Sequence, residues 1–163
     1  MSRHLAKYTD TLAKCMINYQ FVEESLKFCL YRCQAIIKFR LWDILPYEVQ
    51  LKSIDDAALG RLIDQYKAFT KNEPLIKQLR IIKNHRDFCA HQGFLLTGDE
   101  QKDDQYLAEK KQELEVFLSE SQKCMDMLKE EMDLVGSLVE QVYARLCAEQ
   151  AAPVDADIVP PLS

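Results

Sequence analysis

One short stretch holds the residue types that could do chemistry together: Arg86-Asp-Phe-Cys-Ala-His91, with Arg86, Asp87 and His91 as its candidate catalytic residues. An imidazole titrates near neutrality and serves as general base or acid. A guanidinium offers a fixed fork of donors to oxyanions such as phosphate. Asp87 lies four residues before His91, so on a helix the two share a face and the carboxylate could orient the ring. Such a group moves a proton beside developing negative charge and needs no metal to do so. Each residue also has a plain structural alternative. Arg86 could pair with an acid of another helix, such as Glu23 or Glu24, and His91 could cap the last carbonyls of its helix.

The residues before this stretch read as the helix that must carry it. On a wheel of about 100° per residue, Leu75, Leu79, Ile82 and Cys89 form one narrow apolar stripe with Arg86 in its middle. A charge there is costly unless it is paired or opens into a cleft. Arg86 and His91 stand about 140° apart on an ideal helix. They converge only if the helix loosens before Gly93, if the long arginine reaches round, or if a second chain supplies one of them. Lys71 to His91 contains five basic residues (Lys71, Lys77, Arg80, Lys83, Arg86) against two acids, whereas Asp99 to Asp133 contains twelve acids against five lysines. The basic stretch is the local patch a phosphate backbone requires. Its rival is an internal charge match with the acidic helix.

The remaining elements follow from periodicity and from the scarcity of breakers, with only four Gly and five Pro. Apolar residues at Leu5, Tyr8, Leu12, Cys15, Tyr19, Val22, Leu26, Cys29, Cys33 and Ile36 draw one stripe along a long first helix, closed by Pro46. A second helix is expected near Ser53, with Asp55 and Asp56 in or near its first turn and Leu59, Leu62, Ile63, Tyr66 and Phe69 facing inward. A third runs from about Glu73 to Gln92, with Asn72 as N-cap, Pro74 in the opening turn and Gly93 as its stop. After a connection over 94–103, a last helix starts near Asp104. Its stripe runs from Leu107 to Leu146, and Gly136 marks a bend or a close packing point. The alternative is that one of the two long helices is really two. The reading is all-α: an up-and-down helical bundle of four to five helices with long first and last helices. Residues 1–150 form the single domain and 151–163 a flexible C-terminal tail. Stripes this long exceed what a small monomer covers, so a homodimer is expected.

Bulk properties narrow the function. The 163 residues carry 21 Lys+Arg against 26 Asp+Glu, a net charge of -5, which argues against non-specific coating of nucleic acid or anionic membrane. No apolar leader or membrane-length apolar run is present, so a cytoplasmic protein without membrane contact is expected. The six cysteines include no C-x-x-C pair, and they are expected as buried free thiols, not metal ligands or disulfides. No cofactor is expected, since there is no P-loop, G-x-G-x-x-G or H-E-x-x-H pattern.

The stretch Arg86-Asp-Phe-Cys-Ala-His91 resembles the Arg-x4-6-His motif of HEPN domains, with Asp87 at a position where that family has Asn, Asp or His. The setting is similar as well: a long first helix, a Leu-Gly-Arg-Leu-Ile segment at Leu59–Ile63, the motif in a third helix and a long helical C-terminal part. The resemblance spans about residues 5 to 148 in architecture and six residues in motif. It implies a HEPN-like bundle that pairs so that two motifs face each other. It further implies metal-independent RNA cleavage by Arg86, His91 and Asp87, with Lys77, Arg80 and Lys83 contacting RNA. Toxin or antiphage-defence roles, with an antitoxin protein as a candidate partner, come with the family. So do members that have lost activity and bind only RNA, a nucleotide or a protein. A purely structural dimerisation protein is the further alternative. In the branch paired with a nucleotidyltransferase antitoxin a Tyr follows two residues after the His; here that position is Gly93, with Phe94 next.

Overall fold

The computed structural model describes residues 3–151; the tail expected over 151–163 therefore lies outside the described residues, apart from Ala151. The chain folds as an all-α, up-and-down bundle of five helices: α1 (Arg3–Arg40), α2 (Leu51–Asp55), α3 (Leu59–Lys67), α4 (Glu73–Phe88) and α5 (Asp104–Ala151). Both long stripes are continuous helices, of 38 residues in α1 and 48 in α5. At 1.5 Å per residue these are rods of about 57 and 72 Å.

Contacts fix the directions. Cys15 meets Leu114, Asn18 meets Ser121, Arg32 meets Met132 and Phe39 meets Tyr143, so α1 and α5 run parallel. Gln78 meets Glu120 while His85 meets Phe117, so α4 runs back against α5. The stripe of α1 is buried from Tyr8 to Cys33, and that of α5 at Leu107, Leu114, Ser121, Leu128 and Val135. The two stripes largely satisfy each other and α4 within one chain. A Cβ at Gly136 would collide with the Arg32 guanidinium, which donates to the Met132 carbonyl, so this glycine is a packing point in an unbroken helix.

The region between α1 and α4 departs from expectation. A single second helix with Asp55 and Asp56 in its first turn is not formed. Asp55 instead closes the short α2, Asp56 caps its C-terminus, and α3 starts only at Leu59. The cause is tertiary: the Tyr31 hydroxyl of α1 donates to the Asp55 carboxylate, Ile54 is buried just before the break, and Ala57 is buried within it. Leu59, Leu62, Ile63 and Tyr66 are core residues as expected, but Phe69 is largely exposed.

The start of α4 is built as its sequence predicts. Asn72 Oδ1 accepts from the Leu75 amide at 3.1 Å, and Pro74 stands in the first turn. The Asn72 amide also donates to Glu131 Oε2 at 3.0 Å. Tyr66 and Thr70 hydroxyls donate to Glu131 Oε1 at 2.7 and 2.8 Å. One buried carboxylate of α5 thus ties the α3–α4 connection and the N-cap of the site-bearing helix into the core.

Candidate functional site

The C-terminal end of α4 is not a simple stop. From Cys89 to Gly93 the chain continues as one π turn before Phe94. Such a turn is wider than an α turn and is frequent at functional sites. Two anchors on α1 hold it. Cys89 is fully buried with its Sγ 3.9 Å from the Tyr19 hydroxyl, and the Tyr8 hydroxyl donates to the Gly93 carbonyl at 2.6 Å. A Cβ on Gly93 would lie 2.8 Å from Leu12 Cδ1. None of the described glycines has positive φ, so Gly93 is required for close approach to α1 and not for a left-handed cap. A π turn rotates less per residue than an α turn, so the backbone angle between Arg86 and His91 is smaller than on an ideal helix.

Arg86 is part of the stripe yet not buried. Its side chain is 37% exposed and lines a cleft of about 180 Å³ against Met16, Tyr19, Gln20 and Glu23 of α1. Its ion pair is with the adjacent Asp87, Nη1 to Oδ1 at 3.3 Å, and not with Glu23 or Glu24, which bracket Lys27. Asp87 also takes Lys83 Nζ on its other oxygen at 2.7 Å. The Lys83 hydrogen bond, then the Lys83 and Arg86 charges, hold the Asp87 carboxyl below its usual range despite some desolvation. Asp87 thus bridges two cations. It makes no hydrogen bond to His91, so the expected orienting role is not seen. His91 is exposed, and among the described residues it makes no hydrogen bond or ion pair.

The other basic residues of α4 also face outward. Arg80 reaches Asp64 of α3 at 3.7 Å, with both side chains more than half exposed, and Lys77 is exposed. Among the described residues no ion pair joins α4 to the acids of α5. Those of α5 that pair do so with lysines of their own helix, Lys110 with Glu113 and Lys111 with Glu115. The internal charge match is therefore not formed as direct ion pairs between the two helices among the described residues.

Sequence reasoning passed over His85. Its ring stacks on Phe117 at 3.9 Å and 12°, and Phe117 meets Phe88 edge-on at 5.8 Å. Its Nδ1 is buried without a hydrogen-bond partner, and desolvation lowers its pKa, opposed by the Glu120 charge. The spacing Gln78, Ile82, His85, Cys89 marks the same inward face and could have identified it. Arg80 and His85 also have four residues between them, but the His85 ring is stacked against Phe117 of α5. Of the two Arg–His pairs, only that of Arg86 and His91 has an exposed histidine; His85 is partly buried with its ring against Phe117.

All six cysteines are free thiols: five are buried and Cys147 is exposed. Burial pushes Cys29 up to about 12 and Cys33 up to about 11, as for core groups. Among the described residues no group of three or more His, Cys, Asp or Glu is placed to hold a metal ion, and no helix is long and apolar enough to cross a membrane. No protein-family model matches the chain, and neither a curated protein nor a solved structure matches it.

Proposed function

We propose that the protein is a HEPN-like, metal-independent endoribonuclease that acts as a dimer, in the manner of a toxin or antiphage-defence effector. One observation carries the reading: Arg86 and His91 both open to solvent at an underwound turn that ends an otherwise basic helix. His91 takes the proton of a ribose 2′-hydroxyl. The 2′-oxygen attacks phosphorus, and the bond to the leaving 5′-oxygen breaks, with return of a proton to that oxygen. Arg86 stabilises the charge that builds on the non-bridging oxygens. Asp87 holds Arg86 and Lys83 side by side, and Lys77 and Arg80 extend the phosphate track along α4.

The motive for a dimer shifts from the two long stripes, which are largely covered within the chain, to apolar side chains left outside. Phe21 is 60% exposed on α1 and Leu134 57% on α5, and Phe94 and Leu95 follow the π turn at 60% and 76%. Light scattering at micromolar concentration should return about twice the 19.0 kDa chain mass. Among the described residues His91 has no orienting partner, which is the observation favouring the alternative, a catalytically silent module that binds RNA, a nucleotide or a protein. Cleavage of a mixed-sequence RNA in EDTA, wild type beside His91→Ala, separates the two. Loss of cutting in the variant alone supports the ribonuclease, and no cutting by the wild type leaves the binding module.

A further inference from the structure

The cleft beside Arg86 has walls that the motif does not supply. Met16, Gln20 and Glu23 stand at successive four- and three-residue steps on α1, so they line one face of that helix opposite Arg86, with the buried Tyr19 beside them. A volume of about 180 Å³ is below the roughly 300 Å³ at which whole small-molecule sites begin. It takes one flat ring, not a whole nucleotide. Met16 offers an apolar surface for the face of such a ring. Gln20 and Glu23 offer its edge a mixed amide and an acceptor-only carboxylate.

Both polar groups have capacity to spare. Among the described residues the Gln20 amide makes no hydrogen bond. Glu23 has a long ion pair to Lys27 at 3.5 Å, while Lys27 makes its hydrogen bond to Glu24 at 3.0 Å. A carboxylate needs N–H donors, and two of them side by side satisfy both of its oxygens. Among the four RNA bases only guanine presents two adjacent donors, its ring N1–H and exocyclic amine, next to a carbonyl that a glutamine amide can bind. Uracil and cytosine, like adenine, give a carboxylate one donor position on that edge.

We infer that this cleft between α1 and α4 is a guanine pocket. Glu23 accepts from the N1–H and amine, Gln20 donates to the carbonyl, and Arg86 on the facing wall takes the adjoining phosphate. The inference rests on the ribonuclease reading for the role of Arg86, and it adds a base preference that the motif does not specify. Unpaired bases splayed from single strands are the usual targets of such edge readout.

The test uses the His91→Ala protein, which leaves the pocket intact, and fluorescent pentauridine probes whose central residue is guanosine, inosine or adenosine. Anisotropy should give Kd values at least about tenfold lower for guanosine than for adenosine, with inosine, which lacks the exocyclic amine, between them. Glu23→Gln in the same background should remove most of that preference, with Gln20→Ala weakening it less. Thermal melts should be unchanged in both. Equal affinity for the three probes, beside wild-type cleavage of mixed RNA, overturns the guanine pocket and leaves the ribonuclease standing. A guanosine preference that survives both substitutions overturns it too. Failure to bind any probe, together with no cleavage by the wild type, removes both readings.

Discussion

The two ends of α4 each hold a carboxylate, and they use it in opposite ways. At the N-terminal end Glu131 is only 6% exposed, and among the described residues no cation pairs with it; three neutral donors from Tyr66, Thr70 and Asn72 satisfy it. These bonds hold its pKa below the usual value against the burial that would raise it. At the C-terminal end Asp87 is 38% exposed and lies between Lys83 and Arg86. A buried, fully bonded carboxylate fixes geometry, because losing it strands several polar groups. A half-exposed one between cations adds little to stability and leaves those cations free to meet an outside anion. One end of the helix is an anchor, and the other is loosened into a π turn.

Four experiments would break or sharpen that contrast. The largest effect is expected at the loose end. Arg86→Ala or His91→Ala should lower RNA cleavage by at least about a hundredfold, and the double variant should be little worse than either, since groups serving one transition state are non-additive. Melting temperatures should barely move, because neither residue is buried. A destabilised Arg86→Ala protein, with no cutting by the wild type, would make this end structural as well.

Next comes the anchor. Glu131→Ala leaves the Tyr66, Thr70 and Asn72 donors without their shared acceptor, and urea unfolding should show a loss of about 3 kcal/mol. Its pH dependence has a definite sign. The folded pKa is depressed, so the contribution is full above the unfolded carboxylate value near 4.3 and is lost as pH falls through the folded value. Glu131→Gln should flatten that acid limb of the stability curve. An unchanged limb would mean the carboxylate is not the anchor.

The third effect is smaller and lies between the two ends. His85 is held neutral by desolvation against Phe117. With its folded pKa depressed, the unfolded chain binds the proton first, so stability should be full above about pH 6.5 and decline as pH falls below it. His85→Phe, which keeps the stack, should remove the decline between pH 7 and pH 5. A slope of unchanged size would show that other groups titrate there. The smallest effect is expected at Lys77, exposed and remote from the turn. Its alanine variant should weaken RNA binding only a few-fold for every sequence and reduce the slope of log K against log salt by about one. A sequence-dependent change would draw Lys77 into base readout.

Much of this was open to reading along the chain. The three- and four-residue steps from Leu5 to Ile36 and from Leu107 to Leu146 demand long helices wherever no breaker interrupts. Asn72 followed by Pro74 is a helix start whose hydrogen bond closes within three residues. The same periodicity put Arg86 on an apolar stripe and so made it a candidate. Those features depend on neighbours within a turn of one another. What only the tertiary structure decided depends on partners far apart in sequence. Tyr31 reaching Asp55 divides the expected second helix in two, and Tyr8 and Tyr19 hold the π turn from residues 85 and 70 positions away. Asp87 proves to serve Lys83 and Arg86, and not His91, because the two cations lie within reach of its oxygens while the imidazole forms no bond to it. The cleft that carries the guanine inference has one wall from α4 and the other from α1. No local pattern could bring Glu23 and Arg86 together, because that needs the packing of two helices whose stripes the sequence displays but whose mutual register it leaves to the core.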